Sequence, residues 1–132
     1  MRRDFRLLRE DEEFLDSLGL PWSTIVEGNV RRLVLRGFPI PPGYRQTKAD
    51  LNLRIEPAYP DVQIDMAYFH PALVRTDGRP IKAVANDQFE GKAWQRWSRH
   101  RTPQNPWRPG EDNVEMHLLL VRDWLEREPR RT

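Results

Sequence analysis

Three stretches of the chain alternate apolar and polar residues with the period of a β-strand. In NVRRLVLRGF, residues 29–38, Leu33 and Leu35 face one way while Arg32 and Arg36 face the other. In ADLNLRIEP, 49–57, Leu51, Leu53 and Ile55 point in, with Asn52 and Arg54 out. In DVQIDMAYF, 61–69, the apolar set is Val62, Ile64, Met66 and Tyr68. The proline-rich stretches IPPGYR (40–45) and EPAYPD (56–61) bend the chain between them. Strands so close in sequence predict an antiparallel meander with one apolar face that another element must cover.

Both ends of the chain carry helical periodicity instead. LREDEEFLDSLGL, 8–20, places Leu8, Phe14, Leu15 and Leu18 on one face. The acids Glu10, Asp11, Glu12 and Glu13 are expected toward solvent, and Gly19 with Pro21 stops the helix. EDNVEMHLLLVRDWLERE, 111–128, spaces Val114, Leu118, Val121 and Leu125 along one face, joined by His117 and Trp124. Glu111 and Asp112 stand at its positive end. This helix is the natural cover for the sheet. Residues 70–110 lose periodicity and predict a long irregular segment, held by its tryptophans rather than by ladder hydrogen bonds. The order predicts an α+β sandwich of one sheet and flanking helices.

Composition narrows the chemistry. The 132 residues allow one domain with one core, over 1–132, with 128–132 as a frayed tail. Cysteine is absent, which removes disulfides, thiolate metal sites and thioester chemistry. The net charge is only +2, so no whole-protein field for nucleic acid is implied. No stretch approaches the roughly 20 apolar residues of a membrane span. The start, MRRDFRLLREDEEF, lacks the apolar region of a secretory signal. The expectation is a cytoplasmic protein without membrane contact. There is no Walker loop, GxGxxG or GxSxG, and the three histidines lack zinc spacing. No cofactor or metal is expected.

The order of elements, with a Tyr59-Pro60 turn, a His70-Pro71 pair after the last strand and a tryptophan-rich stretch before the final helix, resembles the ubiquitin-conjugating fold. GFPIPPGYR (37–45), EPAYPD (56–61), GKAWQRWSRH (91–100) and NPWRPGEDN (105–113) are similar to prokaryotic family E of that superfamily. The resemblance implies a ubiquitin-conjugating-like antiparallel β-meander between an N-terminal and a C-terminal helix, truncated after the long helix. It also implies a bacterial ubiquitin-like conjugation pathway whose partners are a ubiquitin-like protein, a ThiF-type adenylating enzyme and a JAB-type peptidase. The departures are large. The HPN motif of the superfamily reads HPA, with Ala72 in place of the oxyanion-stabilising asparagine, and RTDGRPIKA downstream offers no thiol.

AWQRWSRHRTPQNPW, 93–107, holds the remaining candidates. Ser98 could carry an acyl group as an oxyester if a base took its proton. His100 suits that role, since imidazole ordinarily titrates near 6.5. Residues i and i+2 point the same way only on extended backbone; on a helix they diverge by about 160°. Asp77 or Asp87 would orient His100. Arg99 and Arg101 could hold the modifier's carboxylate. Arg96, Trp97 and Trp107 complete the candidate binding surface, and His70 is a further catalytic candidate. The plain alternatives are a polar loop for Ser98 and His100, packing for Trp94, Trp97 and Trp107, and structural roles for His70 and His117. Three functions therefore compete: a cysteine-free transferase using Ser98 and His100, a non-catalytic adaptor that binds the modifier or the activating enzyme, and a single-stranded nucleic-acid module reading through RWSRHR.

Overall fold

The alternating stretches do become strands, but they are half of a larger sheet. The computed structural model describes residues 2–131. Its elements are α1 (Arg9–Ser17), β1 (Trp22–Glu27), β2 (Val30–Pro39), β3 (Lys48–Arg54), β4 (Ala67–His70), β5 (Val84–Phe89), β6 (Lys92–Trp97), α2 (Val114–Arg127) and a 3₁₀ turn, Glu128–Arg130. The strands form one antiparallel sheet in the order β1-β2-β3-β4-β6-β5. Leu33, Leu35, Leu51, Leu53, Phe69 and Trp97 meet α2 through Val114, Leu118, Val121 and Leu125, all buried. The α+β ubiquitin-conjugating-like architecture is thus present, with the predicted apolar face of α2 covering the sheet.

β1 escapes a period-two reading because Trp22, Ser23, Thr24 and Ile25 are all buried. A strand covered on both faces need not alternate. The N-terminal segment shields its outer edge: Asp4 N–H donates to the Thr24 carbonyl at 2.8 Å, and Thr24 N–H to the Arg2 carbonyl at 3.0 Å.

The expected strand over 61–69 survives only as Ala67–His70. Turn bonds from Tyr59 N–H to Glu56 and from Asp61 and Val62 N–H to Ala58 occupy the preceding residues. Met66 then takes a left-handed φ of 60°. The pleat restarts after it, so the inward residues are Ala67 and Phe69 while Tyr68 joins the opposite face. Of the expected apolar set, Ile64 is buried but Val62 is 41% exposed. A single-residue shift of register moves every side chain to the other face.

The segment expected to be irregular contains the β5–β6 hairpin. Phe89 pairs with Lys92 across Glu90-Gly91, and both turn residues have positive φ, the type I′ pattern. Trp94 and Trp97, three residues apart on β6, point to opposite faces. Trp97 enters the main core; Trp94 packs with Ile25, Val34, Tyr68 and Phe89 on the other side of the sheet. The hairpin therefore covers the face on which Arg32 and Asn52 were expected to look outward, and both are buried. The Arg32 guanidinium lies 4.4 Å from the Tyr68 ring and 5.0 Å from that of Phe89. Asp87 accepts its hydrogen bond at 2.9 Å.

Two further expectations change. Asp11, assigned to a solvated acid face, is buried, and it accepts from Val114 N–H at 3.1 Å and from the Tyr59 hydroxyl at 2.7 Å. It thereby satisfies an orphan donor of α2, beside the Asn113 side chain, which caps Met116 N–H. Burial raises the Asp11 pKa, opposed by these bonds. The tail is not frayed over residues 128–131: Glu128 is buried, and Pro129 sits against Gly43. Thr132 lies outside the described residues.

Gly43 and Gly91 separate two costs. A Cβ at Gly43 (φ +111°) would lie 2.6 Å from Pro129 Cγ, whereas one at Gly91 (φ +71°) meets nothing within 4 Å. Gly91→Ala is expected to cost about 1 kcal/mol of unfolding free energy, from backbone strain alone. Gly43→Ala should cost roughly 2–4 kcal/mol, because overpacking adds to strain. Urea titrations giving equal losses would show that Pro129 does not pack on this turn.

Candidate functional site

The stretch after His70-Pro71 is where the conjugating fold would hold its nucleophile. Here it is fixed by charge. Arg75, with 2% exposure, reaches the Glu128 carboxylate at 3.4 Å, and its guanidinium also bonds Asp77 and the carbonyls of Pro129 and Arg131. Arg99 meets the other Glu128 oxygen at 3.0 Å and donates to the Lys82 carbonyl at 2.9 Å. Lys82 N–H donates to Glu128 at 3.3 Å, and Arg131 approaches it at 3.3 Å. One buried carboxylate thus gathers the loop after β4, the entry to β5, the exit from β6 and the end of α2.

Ser98 lies one residue past β6, half-buried, its N–H bonded to the Ala83 carbonyl at 2.9 Å. Arg99 N–H bonds back to the Trp97 carbonyl at 3.0 Å, a three-residue turn centred on Ser98. The extended backbone that would aim Ser98 and His100 the same way is therefore missing. Among the described residues no hydrogen bond joins the two side chains. His100, exposed, instead places Nδ1 2.9 Å from Asp65 Oδ2. Neither acid proposed to orient it does so: Asp77 is held by Arg75 and Asp87 by Arg32. Asp65 was missed because the 61–69 alternation put it on a strand, 35 residues away in sequence from its histidine.

Most of the candidate binding residues make contacts within the fold. Trp97 is fully buried, so it offers no surface to a partner. Its ring lies 5.5 Å from Phe69 and 6.2 Å from Tyr44. Arg99 is committed to Glu128. Arg101, with a side chain only 6% exposed, stands 3.8 Å from Asp112, over the Trp107 ring. Trp107 donates from Nε1 to the Pro60 carbonyl at 2.8 Å and packs on Tyr59. Arg96 is half-buried on β6, in register with Tyr68 and Ala85. The arginines of RWSRHR thus do not form an open cationic row for a phosphate backbone.

His70 donates from Nδ1 to the Ala93 carbonyl at 2.9 Å. It borders a cleft of about 480 Å³ with Ala72, Val84, Asn86 and Gln95. A second groove, of about 460 Å³, lies by Asp65, Met66 and Tyr68. Among the described residues no group of three or more histidines and acids could hold a metal ion, and no helix is long and apolar enough to cross a membrane.

The family model described as Prokaryotic E2 family E matches residues 7–128. No curated protein and no solved structure matches the chain.

His117, beneath the site on α2, carries a pH dependence. Its Nε2 donates to the Met66 carbonyl at 2.9 Å, and burial pulls its pKa down to about 4. The unfolded chain therefore binds the extra proton between about 6.5 and about 4 while the native state does not, so stability falls as pH falls through that window. The full loss is on the order of 3 kcal/mol. His117→Gln should flatten this part of the stability–pH curve relative to the parent protein. A parallel pair of curves would show that His117 is not buried uncharged.

Proposed function

The chain belongs to prokaryotic E2 family E, and on that premise we propose that it serves a bacterial ubiquitin-like conjugation pathway as a docking scaffold rather than as a carrier of the acyl group. Its partners are the ubiquitin-like modifier or the ThiF-type adenylating enzyme that activates it, with a JAB-type peptidase as a further member of the pathway. The observation that carries this reading is the turn at Ser98, which leaves the hydroxyl without an imidazole base and gives His100 to Asp65. A serine hydroxyl is almost wholly protonated at neutral pH and attacks poorly without such a base. The absent cysteine and Ala72 in place of the asparagine point the same way. So does Arg99, whose guanidinium is held by Glu128 at 3.0 Å rather than left to steady a developing oxyanion.

Reconstitution with ATP, the modifier and the activating enzyme tests this. The expected result is co-elution of the chain with one of them, unchanged by Ser98→Ala, with no covalent gain in mass. A base-labile mass gain equal to the modifier, lost in Ser98→Ala, would install the oxyester transferase in its place.

A further inference from the structure

The groove of about 460 Å³ beside β4 is distinct from the cleft at His70. Pro57, Ala58, Val62, Met66 and Tyr68 give it an apolar floor, and Asp65 stands on its wall. Its size falls within the range of ligand sites. The charges around it are unequally matched. Arg54 and Glu56 answer each other at 3.4 Å. The carboxylate of Asp65 meets the His100 ring and the N–H of neighbouring Met66, and among the described residues no lysine or arginine nitrogen lies within 4.0 Å of it. Val62, in the floor, is 41% exposed.

The groove is also rigidly built. Met66 holds φ 60°, a conformation that a side chain disfavours. Both of its backbone polar groups are tied down, the N–H by Asp65 Oδ1 at 3.1 Å and the carbonyl by buried His117 at 2.9 Å. Strain of this kind persists where surrounding contacts over-determine it, and it gathers at ligand sites.

We propose that this groove binds a peptide segment of a partner protein that presents an aliphatic side chain beside a lysine or arginine. The aliphatic group packs on Val62 and Met66, above the buried Tyr68, and the cation pairs with Asp65. This goes beyond the scaffold reading and does not require it, since the same segment would bind whether or not the chain carries an acyl group.

The test is a titration of the ¹⁵N-labelled protein with acetyl-Leu-Lys-amide and with acetyl-Leu-norleucine-amide. The lysine peptide should shift the amides of Ala58, Val62, Gln63, Met66 and Tyr68. The norleucine peptide should bind about tenfold more weakly, the scale of one charge-assisted hydrogen bond. Asp65→Asn should erase the difference between the peptides, and Val62→Asp, at an exposed position, should weaken the norleucine peptide. Equal affinities for the two peptides, shifts confined to the His70 cleft, or no shift up to the peptides' solubility would each overturn the proposal.

Discussion

Burying the Glu128 carboxylate constrains much of this molecule. A buried charge is tolerated only when paired and hydrogen-bonded. Glu128, 1% exposed, meets that demand with Arg75, Arg99, Arg131 and the Lys82 amide. Those partners come from every segment that surrounds the expected nucleophile position of a conjugating fold. Satisfying the acid fixes the loop after His70-Pro71, pins the start of β5 to the end of β6, and holds the final turn so that Pro129 closes on Gly43. Of the cations expected to serve chemistry, Arg99 is held by Glu128, while Arg101 stands 3.8 Å from Asp112. Removing Glu128 would leave several arginines facing one another, so the cluster stands or falls as a unit.

The second face of the sheet follows a related logic. The β5–β6 hairpin covers it and uses Asp87 to neutralise Arg32. Trp94 and Trp97 serve the two sides of the sheet from one strand. The tryptophan-rich stretch is therefore mainly a two-sided packing device. Beyond Trp97 the chain turns at Ser98, and there the exposed His100 joins Asp65 at the margin of the groove beside β4.

The strands β2 and β3 were legible because their main-core face is apolar while the opposite face carries polar residues, Arg32 and Asn52 among them, which are buried all the same; α2 was legible because it buries one side, so burial imposes a period on its residues. β1 was not, because Trp22, Ser23, Thr24 and Ile25 are all buried and do not alternate, and β6 was not, because its two buried tryptophans, Trp94 and Trp97, serve opposite faces. The slip at Met66 was invisible because a left-handed methionine leaves no mark in composition. Ser98 and His100 could be named, but their relation could not: one three-residue turn decides it. Asp11 was read as an ordinary acid of a helix surface, Asp65 fell within the expected strand over 61–69 and Glu128 at the start of the expected frayed tail, since their partners lie far away in sequence. The family was legible through its proline turns and tryptophan spacing, and the match over residues 7–128 agrees with it.

A scaffold that carries no acyl group requires His100 to belong to Asp65 and not to Ser98. The most direct measurement is the ¹⁵N spectrum of the His100 ring in the parent protein, in Ser98→Ala and in Asp65→Asn. The ring resonances should be unmoved by Ser98→Ala and displaced by Asp65→Asn. The reverse pattern, with the serine change moving the imidazole and the aspartate change leaving it untouched, would contradict the scaffold reading.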